Sequence, residues 1–259
     1  MKSTLLLSDL HLSPVRPAVV AAFHAFARGP ARAASVVYVL GDLFDWWLGD
    51  DQLREPFAGA VAESIRGITA AGVPVYFARG NRDFMLGEDF ARATGARLLP
   101  GETVVDVGGT RTVLLHGDEL CIDDVDYQRF RARIRAPRVM RRLLALPYFI
   151  RRAIAWYLRR RSRDASALKA ESIMDVSGTA VEEAFRRHGV RRMIHGHTHR
   201  PARHEHSVDG DTCERFVLAD WHDHGHFLEI DADGIRARTI TDSSALGSEP
   251  QFVAPSRIY

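Results

Sequence analysis

The chain has 259 residues, 46% of them apolar and 26% charged, and its net charge of +2 combines many charges of both signs. This balance excludes a globally disordered chain, and one α/β domain of this length buries a sizeable core. Two distant cysteines, Cys121 and Cys213, exclude a disulfide framework, and no apolar run is long enough for a signal peptide or a membrane span, so we expect a soluble or peripheral protein.

Apolar runs rich in β-branched residues recur along the chain, and each has the length of a buried strand: Thr4–Leu7, 35–40, 73–78, 112–115 and 190–194. Helical patterns at 17–27 and 57–71 separate the first three runs. Further short strands are predicted at 102–107, 215–218, 225–230 and 234–240. This alternation predicts an α/β fold with a parallel or mixed sheet covered by helices, followed by a loosely packed tail at 243–259.

The stretch 125–187 has helical spacing and almost no strand pattern, and Pro137 and Pro147 are expected to bound helices within it. From residue 127 to residue 163 there are thirteen arginines and no Asp or Glu, so the rest of the chain is acidic overall. Because motifs lie on both sides of this stretch, we interpret it as a helical insert within a single domain that spans residues 1–259.

The insert interleaves arginine with large apolar residues. On a helix, these apolar residues predict a stripe flanked by guanidinium groups: Leu143, Leu144, Leu146, Phe149, Ile150, Ile154, Tyr157 and Leu158. One interpretation is a core-facing stripe with a solvated basic face. A wholly unpaired arginine face is unusual in that role and favours an anionic membrane surface, while a nucleic-acid surface is the alternative.

Polar residues of types that can bind metal ions follow five of the apolar runs. In chain order they are Asp9 and His11; Asp42; Asn81 and Asp83; His116 and Asp118; and His195, His197 and His199. Ligands of open α/β sheets bind beyond the carboxyl ends of strands, so we expect these side chains to meet in one crevice. Carboxylate, amide and imidazole ligands suit a pair of Mn, Fe, Zn or Co ions that hydrolyse a phosphoester.

The motifs Asp-x-His, Gly-Asp, Gly-Asn-Arg-Asp, His-Gly-Asp and Gly-His-Thr-His, in this order, resemble those of the calcineurin-like metallophosphoesterases. The resemblance implies layered mixed β-sheets flanked by helices and a site for two divalent metal ions. It further implies that Asp42 bridges the ions, that one ion is held by Asp9, His11, Asp42 and His199, and that the other is held by Asp42, Asn81, His116 and His197. His195 is not one of the two histidines of this pattern, so we expect it to have a supporting or merely polar role.

The third motif has Arg82 where many such proteins have histidine. A guanidinium cannot protonate a leaving group at neutral pH, but its fork can clamp two phosphate oxygens. This favours a leaving group that needs little protonation, such as the phosphate released from a phosphoanhydride. In the alternative interpretation, Arg82 only pairs with Asp83 or with a surface acid.

The segments 80–84, 116–124, 194–201 and 218–221, with the overall length, resemble the UDP-2,3-diacylglucosamine pyrophosphohydrolases of lipid A biosynthesis. The resemblance implies a dinuclear enzyme, with Mn²⁺ as the metal, whose insert is a helical lid that holds acyl chains. It implies attack of metal-activated water on the α-phosphorus, which gives UMP and 2,3-diacylglucosamine 1-phosphate (lipid X).

The same resemblance implies catalytic roles for Asp42, Asn81 and Arg82. It implies substrate contacts from Asn81, Arg82, Asp124, Ser162, Ser166, Lys169 and His197. Ser166 stands where many relatives have Asn, so we expect a weaker contact there. The resemblance also implies a cytoplasmic protein attached peripherally to the anionic inner face of the inner membrane through the insert, with no nucleic acid and no obligate protein partner.

Two alternatives stay open. A soluble nucleotide pyrophosphatase or cyclic-nucleotide phosphodiesterase with the same metals would also turn over deacylated substrates. A catalytically idle nucleic-acid-binding module would use the arginines instead, with salt-sensitive binding and no need for metal. The complete set of seven ligands disfavours this second alternative.

Overall fold

The computed structural model describes residues 2–166, 175–222, 224–241 and 246–248, without the side chains of residues 159, 161–166 and 246–248. The strands, in chain order, are β1 (Thr4–Leu7), β2 (Val36–Leu40), β3 (Val75–Ala78), β4 (Arg97–Leu98), β5 (Thr103–Val107), β6 (Thr110–Leu114), β7 (Arg192–His195), β8 (Ala202–Val208), β9 (Asp211–Val217), β10 (Gly225–Asp231), β11 (Gly234–Ile240) and β12 (Leu246–Ser248).

The helices are α1 (Pro17–Arg28), α2 (Pro30–Ala33), α3 (Pro56–Ala70), α4 (Glu88–Thr94), α5 (Val125–Ile134), α6 (Pro137–Leu144), α7 (Tyr148–Ser166) and α8 (Gly178–His188). Proline occupies the first turn of several of them, where its missing N–H costs no intrahelical hydrogen bond. None of the described helices is long and apolar enough to span a bilayer.

The strands form two mixed sheets, as the resemblance implies, whereas the apolar runs alone predicted a single sheet. The first sheet has the order β12-β11-β10-β1-β2-β3-β4, and the second has the order β5-β6-β7-β9-β8. In the first sheet the neighbours β1, β2, β3 and β4 are parallel, and in the second sheet β6, β7 and β9 are parallel. Antiparallel strands flank these parallel sets: β10 beside β1, β5 beside β6 and β8 beside β9. The predicted α/β fold with mixed sheets is therefore confirmed, and the strands are divided between two layers.

Strand alternation produces a four-layer arrangement. Leu5 and Leu7 of β1 pack toward α1 and α3, whereas Leu6 faces the second sheet, where Leu114 and Ile194 contact the same cluster. On the far side of the second sheet, strand residues pack against α8 in a third cluster. The order of layers is thus helices, first sheet, second sheet, helix, and the carboxyl ends of the parallel strands of both sheets open onto the crevice between them.

Several predicted elements differ from the observed ones. Most observed strand ends differ from the predicted ones by one or two residues, which is the usual uncertainty of element boundaries. The strand predicted at 215–218 begins earlier, as β9, and pairs with β8, which was not predicted although Asp209 and Gly210 between them are a hairpin signal. The strand β12 lies within the segment predicted as a loosely packed tail.

The stretch 125–187 combines two kinds of helix. Pro137 and Pro147 do separate α5, α6 and α7, and no residue of α5 or α6 is buried. In contrast, α8 is part of the third core cluster. The protruding part therefore comprises α5 to α7, and the assignment of the whole chain to one domain stays a prediction.

The predicted apolar stripe and unpaired arginine face were wrong in part. Leu143 packs against the first core cluster, whereas Phe149 and Tyr157 are 71% and 55% exposed, so the apolar residues do not share one face. Arg151 turns inward: it is only 5% exposed, donates to the Leu48 carbonyl and pairs with Asp51. The acid that pairs with Arg151 comes from outside the insert, and a local sequence pattern cannot reveal such a partner.

Candidate functional site

Seven side chains predicted to bind metal lie in loops at the carboxyl ends of five strands. From the first sheet, β1 leads to Asp9 and His11, β2 to Asp42 and β3 to Asn81. From the second sheet, β6 leads to His116, and β7 leads to His197 and His199. The expected single crevice exists, but two facing sheets build it.

Asp9, His11 and His199, here called the first group, place one ligand atom each within 4.8 Å of one another. The Nε2 atoms of the two histidines are 3.3 Å apart, and His199 Nε2 lies 3.4 Å from Asp9 Oδ1. Two ring nitrogens and a carboxylate oxygen that converge in this way are suitable ligands for a divalent first-row ion.

Asn81, His116 and His197, here called the second group, converge on one amide oxygen. Asn81 Oδ1 lies 2.9 Å from His116 Nε2 and 3.0 Å from His197 Nδ1. His116 Nδ1 donates to the Leu40 carbonyl over 2.8 Å, which leaves the Nε2 lone pair for a ligand.

Asp42 lies between the two groups. Its Oδ2 is 3.9 Å from His11 Nδ1, and its Oδ1 is 3.7 Å from His116 Nε2. Ligand atoms of Asp9, Asp42 and His116 also lie within 4.8 Å of one another. A bridging carboxylate needs this position, and the bridging assignment itself stays a prediction.

Buried atoms in the first group suit a bound cation. Asp9 Oδ1 and His11 Nδ1 are buried and have no hydrogen-bond partner among the described residues. Burial is the main reason that the pKa of His11 is lowered to about 3, so this imidazole is neutral at pH 7 and offers a lone pair. A buried polar atom without a partner is energetically costly, and a bound metal ion would provide that partner for both atoms.

Backbone conformation marks the same loops. Six described residues other than glycine have positive φ: Asp9 (55°), His11 (48°), Asp42 (55°), His197 (70°), His199 (54°) and Asp209 (53°). Asp209 belongs to the β8–β9 turn, and the other five are predicted ligands. Left-handed backbone is unfavourable for these residues and concentrates at functional sites, so its distribution supports the ligand assignments.

Two glycines make room for the carboxylates. A Cβ on Gly80 would lie 2.1 Å from Asp42 Oδ1, and a Cβ on Gly196 would lie 2.2 Å from Asp9 Oδ2. Both contacts are far closer than van der Waals distance. The glycines of the third and fifth motifs are therefore required by close approach to the acids of the site.

Asp220 is a site residue for which the sequence predicted no role. Its Oδ2 lies 3.3 Å from His199 Nδ1, on the ring side opposite the first group, and 3.1 Å from His222 Nε2. Burial opposes a charge on His199, but Asp220 and Asp9 outweigh it and raise the pKa of this histidine to about 10. Carboxylates often orient metal-binding histidines in this way. The only sequence signal was the Leu-Ala-Asp-Trp segment at 218–221.

His195 is not a ligand in this arrangement. Its Nδ1 donates to the Gly196 carbonyl over 2.8 Å, and its Nε2 accepts from Arg215 Nη1 over 3.1 Å. Burial, with the charge of Arg215, lowers the pKa of His195 to about 3. Both nitrogens are occupied, so His195 has the supporting role expected from its position beside the motif.

The predicted substrate-binding residues are only partly described. The Arg82 N–H donates to Asp42 Oδ1, and no described acid forms an ion pair with its side chain; Asp83 accepts instead from the Gly80 and Leu43 amides. Asp124 caps α5 by accepting from the Tyr127 amide. Lys169 and the side chains of Ser162 and Ser166 lie outside the described residues, so their roles stay predictions.

A cavity of about 370 Å³ adjoins the second group. It lies between the loops after β3 and the helices α5 and α6. His116 and Arg131 line its polar end, and Phe84, Met140 and Leu144 line its apolar part. A cavity beside metal-binding groups that is lined by both charged and apolar side chains suits a molecule that joins a phosphate to a hydrocarbon chain.

Comparison with known proteins agrees with this geometry. The model of the calcineurin-like phosphoesterase family matches residues 2–201. The UDP-2,3-diacylglucosamine hydrolase of Serratia proteamaculans is 46% identical over 233 residues, which cover 90% of this chain and 97% of that protein. The hydrolase of the same name from Aromatoleum aromaticum is 47% identical over 232 residues, which cover 90% and 94% of the two chains.

Similar solved structures are more distant. Zinc-bound Vps29 from Entamoeba histolytica is 13% identical, covers 95% of this chain and 97% of its own, and superposes with a TM-score of 0.45. The phosphoesterase YfcE from E. coli is 16% identical, with 90% and 91% coverage and a TM-score of 0.42. The assignment to a family rests on the family model and on the sequence relatives, which match nearly full length.

Proposed function

The chain belongs to the calcineurin-like phosphoesterases and, among them, to the UDP-2,3-diacylglucosamine hydrolases, and on this premise we propose that it hydrolyses the pyrophosphate bond of UDP-2,3-diacylglucosamine. The observation that carries the proposal is the convergence of the first and second groups on either side of Asp42. Such paired sites suit phosphoester and phosphoanhydride hydrolysis.

In the proposed reaction, water attacks the α-phosphorus. The bond from this phosphorus to the bridging oxygen breaks, and the bridging oxygen leaves with the β-phosphate. The products are UMP and 2,3-diacylglucosamine 1-phosphate, and the water protons pass to solvent. The leaving group is a phosphate ester, which needs little protonation, so the chain requires no general acid at this place.

Divalent metal ions belong to this family's chemistry, and we propose Mn²⁺ for this chain. Asp9, His11, His199 and Asp42 would hold one ion, and Asn81, His116, His197 and Asp42 the other. Bound there, the ions would acidify the attacking water and neutralise charge on the phosphoryl oxygens. The oxygen and imidazole ligands accept Mn²⁺, and also Fe²⁺ or Co²⁺.

Arg82 is proposed to clamp the pyrophosphate. Among the described residues its side chain has no acid to pair with, and its charge is close enough to His11 to oppose protonation of that ring. A guanidinium fork binds two phosphate oxygens and stays charged at any working pH. Asp124, Ser162, Ser166 and Lys169 are proposed as further substrate contacts.

The cavity beside the second group is proposed to hold acyl chains. Phe84, Met140 and Leu144 provide its apolar walls. Each methylene removed from water contributes about 0.8 kcal/mol, so two acyl chains can dominate recognition. The helices α5 to α7 would then act as a lid over the substrate.

An anionic membrane surface is proposed as the place where the enzyme meets its lipid substrate, on the cytoplasmic side of the inner membrane. Phe149, Arg152, Trp156 and Arg160 follow one another at helical spacing on α7, and Phe149 and Trp156 are 71% and 54% exposed. Exposed aromatic residues with flanking arginines favour the interface of an anionic bilayer.

The test is to incubate purified protein with Mn²⁺ and UDP-2,3-diacylglucosamine in ¹⁸O-labelled water. We expect UMP to appear and to carry the label, because attack at the α-phosphorus transfers water oxygen to UMP. Label in the lipid phosphate would show attack at the β-phosphorus, and release of UDP would contradict the proposed bond cleavage.

Two controls separate the specific proposal from its alternatives. Asp42→Ala should reduce turnover by at least about a hundredfold, since it removes a ligand shared by both ions, while Asp233→Ala in the exposed β10–β11 turn should retain wild-type turnover. Equally fast hydrolysis of a deacylated analogue would favour a soluble nucleotide pyrophosphatase instead.

A further inference from the structure

One buried carboxylate anchors the whole length of α5. Asp118 follows β6 and is fully buried. Its Oδ2 accepts from Tyr127 Oη over 2.8 Å, from Arg131 Nε over 2.7 Å and from Arg135 Nη2 over 2.9 Å. The three donors are spaced four residues apart and therefore lie on one helix face. Asp118 is the only acid to which both arginines and the tyrosine converge among the described contacts.

The anchored helix also contacts the loops of the second group. Asp118 lies two residues after His116 in the same loop. Arg135 Nη2 donates over 3.0 Å to the carbonyl of Gly80, the residue before Asn81. The Tyr127 ring lies nearly parallel to the His197 ring, at 21° and with 6.4 Å between centroids. Each of the three loops that carry the second group is thus touched by α5 or its anchor.

The anchor is strong enough to matter for the position of the helix. Arg131 and Arg135 are about three-quarters buried, with side-chain exposures of 24% and 25%. Buried charge-assisted hydrogen bonds are among the stronger polar contacts, and loss of one partner leaves the others as uncompensated charge. Since no residue of α5 is fully buried, polar contacts fix it to the sheet. The Asp118 carboxylate provides three of them, and Gln128 adds hydrogen bonds to the Asp118 and Cys121 carbonyls.

We propose that Asp118 is a positioning residue that couples the docking of α5 to the geometry of the second group. With the helix docked, the His197 ring and the Asn81 loop are held where they meet His116. When the helix is released, these ligands lose their outer support and the second ion binds less tightly. The inference rests on the metal assignment of the proposed function, and it assigns a role in metal retention to a residue outside the ligand set.

A second anchor of the same kind provides the matched control. Arg151, in the first turn of α7, pairs with Asp51 and donates to the Leu48 carbonyl, so it ties another helix of the same segment to the loop after β2. Asp51 contacts no member of the second group among the described interactions. Asp51→Asn therefore weakens the attachment of α7 and leaves the contacts of the second group unchanged. Asp118→Asn weakens the attachment of α5, which contacts the loops of the second group.

The experiment is a Mn²⁺ titration of three metal-free proteins: the wild type, Asp118→Asn and Asp51→Asn. Binding is measured by calorimetry and by the electron paramagnetic resonance signal of spin-coupled Mn²⁺ pairs. We expect Asp118→Asn to bind the first ion normally and the second at least about tenfold more weakly, with less coupled signal at equal Mn²⁺, as when the outer support of a metal ligand is removed. Asp51→Asn should match the wild type. Excess Mn²⁺ should restore the coupled signal and kcat of Asp118→Asn.

Unchanged affinity of Asp118→Asn for the second ion would overturn the proposal, as would an equal loss in Asp51→Asn. If Asp118→Asn does not fold, Tyr127→Phe removes one of the three hydrogen bonds and keeps the ring beside His197; the proposal then requires a loss of the same kind, about threefold for a bond of modest strength. The calorimetric and resonance readouts need no substrate, so failure of the wild type to release UMP would contradict the proposed function and leave the coupling decided separately by metal binding.

Discussion

The imidazole of His199 is held between two carboxylates, Asp9 on the side of the first group and Asp220 on the other. This arrangement fixes the orientation of the ring and makes its Nε2 a better donor to a metal ion. The negative charge of Asp9 and Asp220 raises the pKa of His199, and the same charge favours a metal cation bound beside this ring in place of its proton. Asp220 therefore belongs to the functional centre although it is not one of the predicted ligands.

Asp220→Asn is expected to weaken metal binding by about 10- to 100-fold, because Asn keeps the shape of the side chain but loses its charge. Isothermal titration with Mn²⁺ measures the change directly. Asp233→Asn, at an exposed turn, is the control and should bind as the wild type does. Wild-type affinity in Asp220→Asn would mean that His199 is oriented by other contacts.

At this scale the sequence was informative where chemistry and local pattern coincide. Asp9, Asp42 and Asn81 each follow an apolar run, so order and residue type were enough to predict that they would meet. Asp220 could not be found in this way, because its partner His199 lies in a different loop and only the folded chain brings the two together. The same holds for Asp118, whose partners lie on α5.

The helices α5 to α7 show what periodicity can and cannot predict. Pro137 and Pro147 separate the helices as their chemistry requires. The inward turn of Arg131, Arg135 and Arg151 depends on acids contributed by core loops, so the insert looked more uniformly basic in sequence than it is in the fold. Helical spacing predicts which residues share a helix face, but the residues that this face contacts are known only from the tertiary structure.

Leu144→Ala is expected to raise KM for the diacylated substrate about fivefold and to leave KM for a deacylated analogue unchanged. Leu144 lines the apolar part of the cavity, and truncation removes about 1 kcal/mol of apolar contact at a partly exposed position. Steady-state kinetics on detergent-dispersed substrate measure both values. Leu146→Ala, two residues away and outside the cavity lining, is the control; equal effects on both substrates would place the acyl chains elsewhere.

The β8–β9 hairpin contains an acid-sensitive contact. His206 Nε2 accepts from Arg215 Nε over 3.2 Å, so the ring must be neutral, and burial together with Arg215 lowers its pKa to about 4. The unfolded chain has the ordinary histidine pKa of about 6.5. The contact therefore contributes fully above pH 6.5, and its contribution is lost as the pH falls from 6.5 toward 4.

His206→Gln should reduce this acid sensitivity, because Gln keeps an acceptor for Arg215 and cannot be protonated. Urea unfolding at pH 7.5 and pH 5.0 measures the free energy of unfolding in both proteins. We expect the wild type to lose about 1 kcal/mol more than the variant, allowing for solvent at the half-buried ring. Identical losses would show that His206 does not titrate in this range.

On the scale of the whole molecule, positive charge and exposed apolar area lie together on one part of the surface, and the acids of the ligand loops lie on another. The arginine-rich helices carry the exposed Phe149 and Trp156, while the acids of the ligand loops lie in the crevice below. This separation allows one surface to face an anionic membrane without repelling it and another to retain cations.

Phe149→Ser combined with Trp156→Ser is expected to reduce binding to phosphatidylglycerol-containing vesicles at least about tenfold, since it removes two exposed aromatic anchors. Co-sedimentation measures the bound fraction, and vesicles of phosphatidylcholine alone should bind neither protein strongly. Val15→Ser, at an even more exposed apolar residue outside the helices, is the control. Undiminished binding of the double variant would locate the membrane contact on another face.

The division of ligands between two sheets has a mechanical consequence. Asp9 and His11 extend from one sheet and His199 from the other, so any ion that they share is a cross-link between the two layers. The chain has no disulfide between its two cysteines to serve this purpose. Chelation should therefore not only stop turnover but also loosen the interface between the sheets, and the midpoint of unfolding in denaturant should follow the free metal concentration.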